Sequence, residues 1–270
     1  MTHRIFILRK TFQNLRLPNV LLFVKTLIYN KYNTVQYGTN NKSAPGHPSH
    51  IQARITRFFL AKNTHSEYSS AMRIIAGSKR GMTLLSPKTQ ISRPITDRVK
   101  ESLFSVLYKY DLPVDATVAD LFSGVGSLGL EALSRGAKCV TFVEKDLNIS
   151  AILKNNIERS GFVKESKIVR ANAFAIGAPL RSSQDVYDLI FVDPPYAATM
   201  NTREGSALAG LMDILNDQVT NGGIVVVRTS HEVSLLERYG PFQIEEQRLW
   251  GTMNVTILSK TECDIPENDQ

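Results

Sequence analysis

From residue 117 onward, short apolar runs alternate with segments whose apolar residues recur every three or four positions. The runs at 117–122, 139–144, 167–170, 187–192 and 223–227 read as buried strands. The segments at 127–134, 147–159, 206–216 and 231–239 read as helices. Strands alternating with helices predict an α/β domain whose mainly parallel sheet is covered on both faces. Two late strands, 242–249 and 253–258, are joined only by Trp250-Gly251-Thr252. That connection is too short for a parallel crossover, so the pair is expected as an antiparallel hairpin at one edge. Upstream, 73–76 and 82–85 flank Gly77-Ser78-Lys79-Arg80-Gly81 and read as a β-hairpin. After Pro94, Val99, Leu103, Val106 and Leu107 share one helical face, with Thr96 or Asp97 as the cap.

The 43% apolar content is enough for a core, and no uncharged apolar run approaches the roughly 20 residues that span a bilayer. Two cysteines, Cys139 and Cys263, exclude a disulfide scaffold and form no CxxC pair, so no metal is expected. Charge divides the 270 residues more sharply than the net +7 suggests. Residues 1–71 carry ten basic side chains against one acidic, 72–110 eight against two, and 111–270 fourteen against 22. The expected organisation is a basic extension (1–71), an N-terminal hairpin and helix (72–110), a catalytic domain (111–260) and a tail (261–270). Three readings of 1–71 stay open: sequence upstream of a true start at Met72, an organelle transit peptide, or a nucleic-acid-binding arm. The first is preferred because the ordered pattern begins directly after Met72.

Two motifs carry chemistry. Asp120-Leu121-Phe122-Ser123-Gly124-Val125-Gly126-Ser127-Leu128-Gly129 follows a strand and opens a helix, and Glu144 ends the next strand. Glycines there allow close approach of a ligand and tight helix–strand packing, and the acid can accept from both ribose hydroxyls. A nucleoside-bearing cofactor follows, either NAD or S-adenosylmethionine. Asp120 suits a cationic amino group, or else caps turn amides; Asn172 and Ala173, after the third strand, suit an adenine ring, or else form an ordinary turn. Asp193-Pro194-Pro195-Tyr196 ends the strand at 187–192. The prolines fix the backbone and remove two donors, leaving carbonyls and a carboxylate as acceptors for an amino group, with Tyr196 as a stacking face. The plain alternative is a strand-ending turn with a half-buried tyrosine.

With Met72-Arg73-Ile74-Ile75-Ala76-Gly77, the block Arg93-Pro94-Ile95-Thr96-Asp97-Arg98-Val99-Lys100-Glu101-Ser102-Leu103-Phe104, the glycine loop and Phe191-Val192-Asp193-Pro194-Pro195-Tyr196, residues 72–259 resemble the RsmD family of class I, Rossmann-like methyltransferases. The resemblance implies a seven-stranded sheet and S-adenosylmethionine as methyl donor. The target it implies is the exocyclic N2 amine of a guanine in small-subunit (16S) rRNA, free or in an assembling subunit. It further implies that Glu144 binds ribose, that the loop through Phe122, Ser123, Gly124, Gly126 and Gly129 wraps the methionine moiety, and that Asp193 and Tyr196 handle the guanine. The N-terminal hairpin and helix would serve RNA, with Arg73, Lys79, Arg80, Arg93 and Arg98 as candidates for phosphate contact and Asp97 orienting Arg93 or Arg98. A monomer is expected, in the bacterial cytoplasm, or in an organelle if 1–71 is a transit peptide. Rivals are an NAD-dependent oxidoreductase, a DNA adenine or protein glutamine methyltransferase, and a non-catalytic RNA-binding protein. The first leaves the Asp-Pro-Pro-Tyr segment without a role. A DNA enzyme has little room for a target-recognition domain, the glutamine enzymes usually carry Asn at position 193, and the last needs neither motif.

Overall fold

A computed structural model describes residues 72–87, 95–179 and 186–261. Its strands, in chain order, are β1 (Thr117–Leu121), β2 (Cys139–Val143), β3 (Ser166–Val169), β4 (Tyr187–Val192), β5 (Val219–Ser230), β6 (Arg238–Tyr239), β7 (Phe242–Trp250) and β8 (Met253–Lys260). Together they form one sheet in the order β3-β2-β1-β4-β5-β8-β7-β6. The five strands from β3 to β5 run parallel, and β8, β7 and β6 complete the sheet in antiparallel fashion. The helices are α1 (Asp97–Leu107), α2 (Ser127–Ser134), α3 (Leu147–Ser160), α4 (Ala173–Ile176) and α5 (Ala207–Asn216).

Strand alternation feeds two cores. Val118, Leu189, Phe191, Ile224 and Val226 point to the face covered by α1, α2 and α3. Ala119, Leu121, Ile190, Val192, Val225 and Val227 point to the other, covered by α4 and α5. Of the two expected caps for α1, Thr96 is the one used, accepting from the Val99 amide; at α5 Ser206 stands just before the helix and accepts from the Ala209 amide. No helix of the described residues is long and apolar enough to cross a membrane.

The helix expected at 231–239 is absent. That segment instead turns and pairs its last two residues with β7 as an eighth strand, β6. Its backbone groups find other partners: the His231 amide donates to the Thr252 carbonyl, the Leu236 amide to the Tyr239 hydroxyl, and the Asn254 side chain to the Val233 carbonyl. The Leu236 amide and the Val233 carbonyl are groups that a helix over 231–239 would have paired internally.

The N-terminal hairpin narrows to a single bridge, Arg73 opposite Thr83. Here α2 takes the place of a neighbouring strand. The Glu131 carboxylate accepts from the Ile75 amide at 2.7 Å and the Ala76 amide at 3.0 Å. The Ser134 hydroxyl donates to the Ala76 carbonyl and accepts from the Lys79 amide. Gly77 makes this docking possible: a Cβ there would lie 1.7 Å from the Ser134 carbonyl oxygen. Glu131 is itself buried between two cations, with Arg135 Nε at 2.7 Å and Lys100 Nζ at 3.7 Å. On the returning arm, Asn156 of α3 accepts from the Leu85 amide and donates to the carbonyls of Leu85 and Val125. One buried side chain thus ties the N-terminal segment to the glycine loop.

Candidate active site

A cleft of about 720 Å³ opens at the carboxyl ends of β1, β2, β4 and β5. This is where an open α/β sheet with a strand-order reversal binds its ligands. Here the reversal falls between β1 and β4. Its walls bring together Asp120, Phe122, Ser123 and Gly124 from the first strand and loop, and Glu144 from the second. Asn172 and Ala173 join them from the turn after β3, and Asp193, Pro194, Pro195 and Tyr196 from the end of β4. Residues 72, 86, 87 and 95 of the N-terminal segment complete one side.

The glycine loop is shaped from both ends. Phe122 leaves β1 with φ of 59°, a left-handed conformation that costs a non-glycine residue energy, and its ring packs on Phe174 at 4.7 Å. The Gly124 amide donates to Glu144 Oε2 at 3.0 Å, and the Asp146 amide donates to Oε1 at 2.8 Å. The ribose-acid candidate therefore also fastens the loop to the end of β2. Gly126 and Gly129 do not line the cleft; they stand behind it. A Cβ at Gly129 would lie 2.4 Å from the Phe142 ring, so glycine lets α2 sit tightly on the sheet. The loop residues between and before them, Ser123, Gly124, Val125, Ser127 and Leu128, are the ones that face the cleft.

Asp120 is 1% exposed and accepts from the Gly129 amide at 2.8 Å, so it caps α2's first turn as well as facing the cleft. Burial pushes its carboxyl well above the usual range. The Gly129 bond opposes this, while the nearby Asp193 and Glu144 carboxylates push the same way. Asn172 caps α4 through the Phe174 amide at 3.2 Å. The turn that presents it to the cleft is therefore an ordinary Asn cap as well.

The Asp-Pro-Pro-Tyr segment leaves β4 in extended form and enters a 3₁₀ turn, Tyr196–Thr199, closed by the Ala198 amide on the Pro195 carbonyl at 2.8 Å. Asp193 Oδ1 accepts from Arg228 Nε. Burial raises the Asp193 carboxyl and Arg228 draws it back. Arg228 was not a sequence candidate. Its signal was there: a lone charge closing the otherwise apolar run Ile224-Val225-Val226-Val227.

The cleft fits S-adenosylmethionine. The buried Ser127 hydroxyl, in the lining at the start of α2, has no hydrogen-bond partner within the described residues and is open to an acceptor such as a carboxylate. The lining carries four carboxylates, Asp120, Glu144, Asp146 and Asp193, against Lys145 and Arg228, a formal acidic excess that suits a sulfonium and an ammonium group.

Arg73, Lys79, Arg80 and Arg98 lie outside the cleft lining. Arg73 donates to Asp97 at 2.7 Å, so Asp97 orients Arg73 and not Arg98. Their nearness follows from the docked turn, which lays Arg73 beside the start of α1. Lys79 lies 5.7 Å over the Phe162 ring, and Arg80 and Arg98 are exposed. Arg93 lies outside the described residues, as do the expected extension 1–71 and most of the tail.

Comparison with known proteins agrees with this layout. Residues 72–259 match the model of a family described as "Conserved hypothetical protein 95". The chain is 32% identical over 189 residues to the "Putative rRNA methyltransferase YlbH" of Bacillus subtilis, covering 70% of this chain and 99% of that protein. It is 39% identical over 139 residues to the ribosomal RNA small subunit methyltransferase D of Escherichia coli, covering 51% of this chain and 66% of that one. A solved structure, "Putative methyltransferase yhhF from Escherichia coli", superposes with a TM-score of 0.58 at 30% identity, covering 70% of this chain and 97% of that one. Sheet order, cleft, motifs and relatives agree: the chain belongs to the RsmD family of methyltransferases.

Proposed function

We propose that this protein transfers a methyl group from S-adenosylmethionine to the exocyclic N2 amine of a guanine in small-subunit (16S) rRNA. The observation that carries the reading is one cleft holding both halves of the reaction. The glycine loop, Asp120 and Glu144 are on one side, and the Asp193 carboxylate, the Pro194 carbonyl and the Tyr196 ring on the other. The names of the B. subtilis and E. coli relatives support ribosomal RNA as the substrate.

Glu144 would hold the ribose hydroxyls, Asp120 the amino group of the methionine moiety, and Asn172 and Ala173 the adenine edge. When bound, the cofactor supplies an electrophilic methyl carbon on a sulfonium that leaves as a neutral thioether. The rest is positioning. A guanine amine is a weak nucleophile because its lone pair is delocalised into the ring. Bonds from its two hydrogens to Asp193 and to the Pro194 carbonyl would localise that pair and aim it, and stacking on Tyr196 would fix the ring plane. The methylated amine is cationic and sheds a proton readily, so Asp193 acts first as an acceptor. The guanine must be unstacked to enter, which favours an exposed rRNA loop or an assembly intermediate. Arg73, Lys79, Arg80, Arg93 and Arg98 would then position the phosphates, on a chain acting as a monomer in the bacterial cytoplasm.

Mass-spectrometric mapping of rRNA from a strain lacking the gene tests the reading. Loss of one N2-methylguanosine from small-subunit rRNA is the expected result; an unchanged map sends the function to another amine.

A further inference from the structure

Arg228 has no task in the reaction as set out above, and its place in the cleft is unfavourable on its own. An unpaired guanidinium would repel a sulfonium cofactor. The sheet shows how that charge is used. In the β4–β5 register Val192 lies level with Val227, so the next residues, Asp193 and Arg228, are neighbours. Asp193 continues the face of Leu189 and Phe191, and Arg228 that of Ile224 and Val226. These four apolar residues belong to one core cluster, so the two charged side chains emerge side by side from the same face. Their side chains are 19% and 11% exposed, and Arg228 Nε donates to Asp193 Oδ1. The guanidinium is steadied in turn by Met253, whose sulfur lies 4.0 Å from Nη1.

The carboxyl torsion of an aspartate is broad and roughly two-fold, so nothing in Asp193 itself fixes the direction of its oxygens. A charge-assisted bond to one oxygen does. It also neutralises the pair, leaving Asp120, Glu144 and Asp146 as the other acids of the cleft lining. Resting on the reading of Asp193 as the acceptor for the target amine, we propose that Arg228 is a positioning residue for methyl transfer: it grips Asp193 by Oδ1 and presents Oδ2 to the amine. The charged and titratable groups that share the cleft lining with the pair are Asp120 from β1, Glu144, Lys145 and Asp146 after β2, Tyr196 after β4 and His231 after β5.

The test compares Arg228→Met, Arg228→Lys, Asp193→Ala and the Asp193→Ala/Arg228→Met double variant in the full chain. It measures kcat, KM for rRNA, S-adenosylmethionine affinity, the pH profile of kcat and thermal unfolding. Arg228→Met should lower kcat on the order of 10²-fold, the scale of an ångström-level misplacement, without weakening cofactor binding. The acid limb of its pH profile should move to higher pH, because Asp193 loses the cation that favours its ionised form. Arg228→Lys should recover part of the rate, keeping charge without the fork geometry, and carries the same test if the methionine variant does not fold. The double variant should be no slower than Asp193→Ala alone. A wild-type rate and pH profile in Arg228→Met would overturn the proposal. So would a rate loss matched by lost cofactor affinity, or additivity in the double variant. An active Asp193→Ala would remove the underlying reading as well, whereas an inactive Asp193→Ala beside a fully active Arg228→Met would remove only the role of Arg228.

Discussion

Glu131→Gln is the substitution to which the folded state should be most sensitive outside the cleft. Glu131 is 0% exposed, and its two oxygens serve the amides of Ile75 and Ala76, Arg135 Nε and the buried Lys100 ammonium. Burial already drives the Lys100 ammonium below its usual range, with Glu131 as the leading opposing influence. Glutamine keeps the volume and one acceptor oxygen but removes the charge that compensates two buried cations. Breaking a buried pair from one side costs about 3–5 kcal/mol, and an amide left unsatisfied adds about 1–3 kcal/mol. Against a typical domain stability of roughly 5–15 kcal/mol, this takes the protein close to its folding threshold. Urea denaturation of Glu131→Gln should show a midpoint far below wild type. Limited proteolysis should cut first between residues 72 and 87, where the N-terminal turn loses its anchor. A stability loss under about 1 kcal/mol would refute the reasoning, since that is the range of an exposed ion pair.

Other outcomes follow from the cleft. Asp120 holds its proton to higher pH in the folded chain than when unfolded, so its contribution to stability is present below the unfolded value and lost as pH rises through the folded one. A cationic cofactor favours the ionised form, so S-adenosylmethionine affinity measured by calorimetry should rise with pH, and Asp120→Asn should flatten that dependence. Gly129→Ala, whose Cβ would press on Phe142 and Val140, should cost about 1–3 kcal/mol in chemical denaturation. Glu144→Ala should weaken cofactor binding and loosen the loop, because it also releases the Gly124 and Asp146 amides. Unchanged affinity in a titration would remove its ribose role.

The parallel sheet was legible because its strands are apolar runs separated by segments of helical periodicity, and the ends of the strands deliver the motif residues to one edge. The segment 231–239 was not. Val233, Leu235 and Tyr239 are buried there, but the deciding bonds come from Thr252, Asn254 and Tyr239 itself, and contacts across the sheet have no local signature. The same limit hid the N-terminal docking, where Glu131 and Ser134 take the place of a strand 55 or so residues away in sequence. Arg228 could have been found from the sequence by asking why an apolar strand ends in a charge beside an Asp-Pro-Pro-Tyr strand. The packing role of Gly129 needed the Phe142 ring in view.

The central claim is that one cleft joins S-adenosylmethionine to a guanine amine. Its most direct test is transfer of labelled methyl groups to small-subunit rRNA from a strain lacking the gene, with the modified nucleotide identified by mass spectrometry, for wild type and Asp193→Ala. The account predicts a single N2-methylguanosine with the wild-type protein and almost none with Asp193→Ala. Label on another base or on protein, or full transfer by Asp193→Ala, would contradict it.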